Sequence, residues 1–266
     1  MTPDPPRAWQ TMTTIEVDTL AAKDPVIVLP IAAIEQHGPH LPLSTDLEIG
    51  LGVLAEAFHQ LDSEAPIWTL PIQTIGTSIE HLGFAGTLSL DSELLVETIV
   101  QLGAGVARSG VRRLVIFNSH GGNVPAMDSA CLRLREEHAL LVVKASYFLF
   151  AHPDNTGLPE SEWRHGLHGG AVETAMMLHL CPDLVRTEAL TQFPSLGQEL
   201  THTMRHVGPE HEASFAWLAR DLNPEGVTGN AALANARLGE SLVGHYGQIL
   251  AEVIQDTRAF PLDRLR

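Results

Sequence analysis

The sequence predicts an α/β sandwich with a mostly parallel central sheet. Short segments that are apolar at nearly every position recur along the chain, and residues 26–34 form the first of them. Such segments are typical of parallel strands that are covered on both faces. Segments with apolar residues at helical spacing alternate with them, and no repeat, linker or low-complexity stretch interrupts the pattern. We therefore expect a single domain over residues 1–266.

The first half of the chain reads as two strand–helix pairs after a lead-in of 23 residues. The first helix is indicated by helical spacing and good helix formers, and the second by Asp91 as an N-cap and Gly110 as a stop. In chain order we expect a strand, a helix, a strand, a glycine-rich loop and a helix at residues 26–34, 47–61, 67–72, 74–90 and 92–108.

The second half continues the alternation. Residues 112–118 are the clearest strand after the first, and a tight turn follows at residues 119–123. The remaining expected elements are a helix, a strand, a polar loop, a helix that Pro182 stops, an irregular region and a long final helix at residues 124–138, 140–146, 152–165, 169–180, 184–223 and 229–257.

Charge and composition exclude several classes of protein. The formal net charge of −16 argues against nucleic acid or an anionic membrane as a partner. The first ten residues lack the apolar stretch of a secretory signal, and residues 139–151 are too short to span a bilayer and contain Lys144. Cys131 and Cys181 lack metal-type spacing and are expected to be reduced thiols. We expect a cytoplasmic protein.

The most informative stretch is residues 30–46, PIAAIEQHGPHLPLSTD. It places Glu35, His37, His40 and Asp46 within twelve residues, on a segment whose prolines and glycine rule out an ordinary helix. A carboxylate and imidazole set on a rigid loop after a buried strand suits Zn, Mn or Fe. We expect His40 to support the loop or another ligand rather than to bind metal.

Other titratable side chains follow other strands in the same sense. His120 comes directly after the third strand, and His168 and Glu173 begin the helix that follows the fourth. Ligands of open α/β sheets bind beyond the carboxyl ends of the strands, so these side chains can converge on the first loop. Asp46 is best placed to bridge two ions about 3.5–4 Å apart, a pair that can hold a hydroxide between them.

Four blocks of the sequence resemble those of the creatininase (creatinine amidohydrolase) family. These are EQHGPHLPLSTD, GTSIEHLGFAGTLSL, NSHGGN and LHGGAVETAMML, and the resemblance runs from about residue 30 to residue 182. It implies a three-layer α/β/α fold, a site for two divalent metal ions, and hydrolysis of a non-peptide or small-amide carbon–nitrogen bond. It also implies a homo-oligomer, often a hexamer, that acts on a small-molecule amide.

The resemblance assigns roles residue by residue. Glu35, Asp46 and His120 would hold one ion, and His37, Asp46 and Glu173 the other, with zinc as the first expectation and manganese or iron as alternatives. Hydroxide between the ions would attack the amide carbonyl, and the ions would stabilise the oxyanion.

Further residues would act on the substrate. His168 would move a proton to the leaving nitrogen, and Glu173 could share the role of base if one ion is labile. Ser78 and the backbone of Gly121 and Gly122 would face the substrate. We also expect Phe84 and Trp163 near a planar substrate.

One departure from the family pattern bears on the substrate. Creatininases proper carry Tyr-Glu after the histidine, and that Glu is a metal ligand, whereas this chain has Gly121 and Gly122. The missing carboxylate must come from elsewhere, and Glu173 is the candidate. The glycine form resembles formamidopyrimidine deformylases and the peptidase of the mycofactocin precursor, which argues against creatinine as the substrate. Glu80 and His81 fit the family block without an assigned role.

Two other hypotheses compete with the hypothesis of a two-metal amidohydrolase. A non-catalytic α/β ligand-binding subunit would carry a phosphate loop such as G-x-G-x-x-G after a strand, and none follows residues 26–34 or 112–118. A catalytically dead member of the family would lack a ligand, whereas every matched position carries a titratable group. Within the enzyme reading, a formamidopyrimidine-type deformylase and a small-peptide amidase are the alternatives.

Overall fold

A computed structural model describes residues 7–210 and 212–265 of the chain. Within these ranges the α-helices are α1 (Thr14–Ala21), α2 (Thr45–Gln60), α3 (Ser92–Arg108), α4 (Val124–His138), α5 (Glu160–His165), α6 (Ala171–Leu180), α7 (Leu196–Leu200), α8 (Ala219–Leu222) and α9 (Ala236–Ala259). The strands are β1 (Val26–Ile31), β2 (Ile67–Thr69), β3 (Arg113–Asn118), β4 (Leu141–Ser146), β5 (Gln192–Phe193), β6 (Val207–Gly208), β7 (Ala213–Ser214) and β8 (Gly229–Asn230).

The central sheet has the order β2-β1-β3-β4, and all its strand pairs are parallel. Val26 pairs with Ile67 on one side and with Arg113 on the other, so the strands begin nearly level. Their carboxyl ends therefore lie at one edge of the sheet. β5 pairs with β8, and β6 with β7, outside this sheet. The predicted α/β fold with a parallel central sheet is confirmed.

Helices cover both faces of the sheet and make three layers. Alternate residues of β1 point to opposite faces, because successive side chains of a strand alternate. Val26 and Val28 join a core with residues of α2, α6 and α9, and Ile27 and Leu29 join a second core with residues of α3 and α4. Burial on both faces explains why every residue of β1 and of β3 is buried.

Four helices in the described ranges were not expected from the sequence, namely α1, α5 and the short α7 and α8 in the region expected to be irregular. The expected lead-in, residues 1–23, lies partly outside the described residues, and its described part contains α1. There Thr13 and Glu16 form a reciprocal capping box, a sequence signal that the lead-in interpretation overlooked. The polar loop expected at residues 152–165 ends in α5, which has acidic residues in its first turn and basic residues in its last, as the helix dipole favours.

Several element ends also differ from the expectation. The strand expected at residues 67–72 ends at Thr69, two residues before Pro71, which has no N–H for a ladder. The long final helix begins at Ala236 rather than at residue 229, since Asn235 caps it by accepting a hydrogen bond from the backbone N–H of Leu238. None of the helices in the described ranges is both long and apolar enough to cross a membrane.

Gly239 allows α9 to pack closely against α6. A Cβ atom at this position would overlap the carbonyl oxygen of Ala175 and lie 2.5 Å from its carbonyl carbon. The obstacle is backbone, so it cannot move aside as a flexible side chain would. Gly244 lies in the same helix, and a Cβ atom there would meet nothing within 4 Å.

Replacing Gly239 by alanine should therefore destabilise the protein. We expect the free energy of unfolding to fall by about 1–3 kcal/mol because the two helices are forced apart. Gly244→Ala is the matched control, and it should leave stability unchanged or raise it by up to about 1 kcal/mol through helix propensity. Urea denaturation of both variants measures this, and equal stabilities would contradict a close contact at Gly239.

Candidate metal centre

The expected ligands meet at the edge of the sheet where β1 and β3 end. Glu35 and His37 follow β1 on a tight loop in which Gly38 has a φ of +66°, a conformation that glycine adopts without strain. Asp46 lies in the first turn of α2, and Glu173 in the first turn of α6. His120 follows β3 directly. Four separate segments therefore bring carboxylates and imidazoles to one place.

His37, Asp46 and Glu173 form one cluster. Nε2 of His37 lies 3.5 Å from Oδ1 of Asp46 and 4.0 Å from Oε2 of Glu173, and all three offer ligand atoms within 4.8 Å of one another. The other carboxylate oxygen of Asp46 lies 3.6 Å from Nδ1 of His120. Asp46 thus stands between His37 and His120, the position that a bridging carboxylate would need.

Glu35 and His120 form a second cluster, and its third member is Glu80. Nε2 of His120 lies 3.2 Å from Oε2 of Glu35 and 3.7 Å from Oε1 of Glu80, and the three residues offer ligand atoms within 4.8 Å of one another. Glu173 lies with His37 and Asp46, the grouping that the family resemblance implies. Glu80, within the motif GTSIEH, has no role in that expectation.

His168 lies beside both clusters. Its Nε2 is 2.7 Å from the carbonyl oxygen of Gln36, which can only accept, so Nε2 carries the proton and Nδ1 faces Oε1 of Glu35 at 3.7 Å. The His168 ring lies 4.1 Å from the ring of His37 and 4.3 Å from that of His81. Glu35, His37 and His168 also offer ligand atoms within 4.8 Å of one another.

The side chains at the centre fit a divalent metal ion. Four buried atoms in it have no hydrogen-bond partner, namely both carboxylate oxygens of Glu35, Nε2 of His37 and Oδ2 of Asp46. Unpartnered buried polar atoms are rare in folded proteins and call for an explanation such as an ion. In residues 7–210 and 212–265, no lysine or arginine pairs with Glu35, Asp46, Glu80 or Glu173. Carboxylate oxygens and imidazole nitrogens are ligands that suit Zn, Mn and Fe.

The pKa shifts indicate that the centre favours positive charge. Burial lowers the pKa of His120, but Glu35 and Asp46 outweigh burial and raise it to about 10. Burial likewise lowers the pKa of His37, and Asp46 and Glu173 raise it to about 9. Burial raises the pKa of Glu35, but the neighbouring imidazoles, His120 first, hold it well below its usual range. The carboxylates thus stabilise the protonated forms of the two imidazoles, and a metal ion bound between them would supply the same positive charge.

A backbone N–H and a tyrosine hydroxyl hold the carboxylate of Glu173 in place. Its Oε2 accepts a hydrogen bond of 2.6 Å from the backbone N–H of Gly169, and the hydroxyl of Tyr147 lies 3.4 Å from Oε1. His40 is fully buried, and its Nε2 lies 2.9 Å from the carbonyl oxygen of Gly169. The His40 ring stacks on Phe193. His40 therefore supports the segment that positions Glu173.

Glu162, on α5, fixes the start of α6. It is only 4% exposed, and its two carboxylate oxygens accept hydrogen bonds of 2.7 Å from the N–H of Ala171 and 2.8 Å from the N–H of Asn230. A carboxylate at a helix N-terminus also interacts favourably with the helix dipole. Glu162 falls within the polar loop expected at residues 152–165, where no role is predicted for it.

The residues expected to face substrate differ in their surroundings. Ser78 is fully buried, and its hydroxyl lies 3.3 Å from Nε2 of His120. A Cβ atom on Gly122 would overlap the carbonyl oxygen of Thr77, whereas one on Gly121 would meet nothing within 4 Å. Gly121 is exposed, so of these three residues it is the one whose backbone is open to a ligand. Substrate contact by all three stays a prediction.

A cavity of about 310 Å³ reaches the centre at His37. The ring of Phe84 lines it, and the guanidinium of Arg220 lies 4.7 Å from the centre of that ring. Trp163 is not among its lining residues and stacks on His152 at 3.9 Å. The lining residues are Gln36, His37, Gly38, Pro39, Leu43, Phe84, Ala85 and Glu225.

The parallel sheet with a buried carboxylate–imidazole centre at its edge defines an α/β protein with a candidate metal centre. Residues 10–254 match the family model described as "Creatininase: Creatinine amidohydrolase". The chain therefore belongs to the creatininase family.

Curated relatives of this chain include a peptidase and an amidohydrolase. A mycofactocin precursor peptide peptidase of Mycobacterium tuberculosis (strain CDC 1551 / Oshkosh) is 39% identical over 175 residues. The match covers 64% of this chain and 64% of the peptidase, which is less than two thirds of its length. A creatinine amidohydrolase of Pseudomonas putida is 32% identical over 190 residues, which are 66% of this chain and 72% of that enzyme.

A solved structure of creatinine amidohydrolase (creatininase) superposes with a TM-score of 0.77 and 28% sequence identity. The superposition covers 96% of this chain and 99% of the other. A second structure, named "Creatininase Mn", has a TM-score of 0.76 and 26% identity, and covers 94% of this chain and 98% of the other.

Replacing Glu162 by alanine should destabilise the protein, because two buried N–H groups lose their acceptor. We expect the free energy of unfolding to fall by about 2 kcal/mol, the cost typical of unsatisfied buried groups. Glu160→Ala changes an exposed residue of the same helix and should stay within about 0.5 kcal/mol of the wild type. Guanidinium denaturation tests both, and a neutral effect at Glu162 would show that it does not fix α6.

Proposed function

We propose that the chain is a metal-dependent amidohydrolase that uses a pair of divalent ions to hydrolyse a carbon–nitrogen bond of a small amide. The observation that carries the proposal is the set of buried carboxylate and imidazole atoms without hydrogen-bond partners, next to a cavity of about 310 Å³. A non-catalytic ligand-binding subunit would have no need for such atoms, which are costly to bury unless something binds them.

His37, Asp46 and Glu173 would hold one ion, and Glu35 and His120 would contribute to the other, with Asp46 facing both. When bound, such ions lower the pKa of water toward roughly 7 and polarise a carbonyl oxygen, which is the chemistry that amide hydrolysis needs. Zinc is the first candidate, and manganese and iron suit the same ligands. The neighbour named "Creatininase Mn" supports manganese as an alternative.

His168 would handle the proton of the reaction. Its Nε2–H is engaged with the carbonyl oxygen of Gln36, so the exchangeable proton would be carried at Nδ1. Burial, together with the nearby His37 and His81, holds the pKa of His168 well below its usual range. The ring is therefore neutral near pH 7 and can accept a proton, then pass it to the leaving nitrogen. The exposed backbone of Gly121 would contact the substrate.

Three kinds of amide fit the proposal. The name of the creatinine amidohydrolase relative indicates a cyclic amide, and that of the mycofactocin peptidase relative indicates a precursor peptide. A formamide is the third, because a 2-amino-5-formylamino-6-ribosylaminopyrimidin-4(3H)-one 5'-monophosphate deformylase of Methanobrevibacter smithii is 35% identical over 94 residues, which are 35% of this chain and 39% of that enzyme. We also propose that residues 1–266 act as one domain within a cytoplasmic homo-oligomer, with a hexamer as the first candidate.

Chelator-treated and metal-restored protein should differ in activity toward a panel of cyclic amides, formamides and short peptides. We expect no turnover without metal, and turnover of at least one class after restoration with Zn, Mn or Fe. Measured release of free amine or formate identifies the class. The absence of metal uptake by the folded protein would contradict the proposal.

His168→Ala should lower kcat by about 10²- to 10⁴-fold while the protein keeps its metal, as expected for loss of a general acid–base group. His179→Ala, at an exposed position of α6, is the control and should retain wild-type kcat. Steady-state kinetics and elemental analysis of the same samples measure both effects. A loss of bound metal in His168→Ala would mean that this residue is a ligand rather than a proton carrier.

A further inference from the structure

Glu80 is directed into the centre from a turn in which its neighbour Ile79 is exposed to solvent. It lies in a 3-10 turn, Ile79–His81, between β2 and α3. Ile79 is 51% exposed, but the side chain of Glu80 is 20% exposed. Its Oε1 lies 3.7 Å from Nε2 of His120 and 3.9 Å from Nε2 of His81. The carboxylate therefore faces imidazoles rather than water.

A carboxylate at this position needs a cation. Glu80 shares one cluster with the carboxylate of Glu35, and their ligand atoms lie within 4.8 Å of each other. In the described ranges, the ion pairs of Glu80 are with histidines and not with lysine or arginine. Like charges brought together in a partly buried site repel one another unless a positive charge lies between them.

Glu35 points to the same conclusion independently. Its side chain is fully buried, and neither of its carboxylate oxygens has a hydrogen-bond partner. One of them lies 3.2 Å from Nε2 of His120, the atom that Glu80 also approaches. The carbonyl oxygen of Thr77 lies 2.8 Å from the same nitrogen, so an ion bound there would replace the proton that His120 donates to Thr77. Two carboxylates and one imidazole thus surround a single space.

Gly122 leaves room for this arrangement. A Cβ atom on Gly122 would lie 2.5 Å from Oε1 of Glu80 and 2.5 Å from Nε2 of His120, and would overlap the carbonyl oxygen of Thr77. The neighbouring Gly121 has nothing within 4 Å of such an atom. The need for glycine is therefore specific to position 122, where a side chain would collide with the backbone of Thr77 as well as with Glu80 and His120.

We propose that Glu80 is a protein ligand of the ion held by Glu35 and His120, and that Gly122 provides the space its carboxylate occupies. The inference rests on the proposed metal dependence and deepens it. It assigns Glu35, Glu80 and His120 to one ion and His37, Asp46 and Glu173 to the other. Loss of Glu80 should then weaken one ion and spare the other.

The test is the number of zinc ions per chain in wild type and Glu80→Gln after equilibrium dialysis against buffered zinc. We expect two tightly held ions in the wild type, and one in Glu80→Gln. Affinity for the second ion should fall by at least about 10- to 100-fold, the loss typical when a residue that merely supports a ligand is changed. Glu64→Gln, at an exposed glutamate, is the matched control and should keep two ions.

Gly122→Ala should reproduce the loss of one ion, and Gly121→Ala should not. Circular dichroism checks that each variant is folded, and Glu80→Asp, which keeps the charge but shortens the side chain, gives a second measurement should Glu80→Gln fail to fold. Two ions of wild-type affinity in Glu80→Gln or Glu80→Asp would overturn the inference and leave the proposed function standing. No zinc in the folded wild type would overturn both.

Discussion

The structure depends on one electrostatic constraint, the burial of several carboxylates at a sheet edge without a lysine or arginine paired to them in the described chain. Glu35 and Asp46 are almost completely buried, and imidazoles are the positive groups within reach. Such a charge arrangement is unfavourable unless cations occupy it. The same arrangement that costs stability without metal gives a strong site for divalent ions.

The fold is built to hold that arrangement rigid. The parallel sheet brings the ends of β1 and β3 together, and the helices on both faces bury the strands completely. Around the centre, hydrogen bonds hold the site residues and the backbone beside them in position. Glu162 fixes the start of α6, His40 supports the backbone at Gly169, and Gln36 holds one nitrogen of His168. A preorganised site needs no rearrangement when the ions and substrate bind.

Much of the fold and the candidate site followed from local patterns in the sequence. Continuous apolar runs predicted the parallel sheet, and the position of His120 after a strand predicted its convergence with Glu35. The parts that were missed depend on contacts between distant segments. Glu80 lies 40 residues before His120, on a segment read as a loop, and only the folded chain brings its carboxylate to the space beside Gly122. The start of α9 was placed too early because apolar residues at helical spacing also occur before Asn235, the residue that caps the helix.

Anomalous X-ray diffraction from crystals of the zinc-loaded protein tests the central claim most directly. The account predicts two strong peaks about 3.5–4 Å apart at the carboxyl edge of the sheet. One should be bound by His37, Asp46 and Glu173, and the other should lie between Glu35 and His120. No peak at this edge, or zinc bound only to surface histidines, would contradict the account and require another explanation for the buried carboxylates.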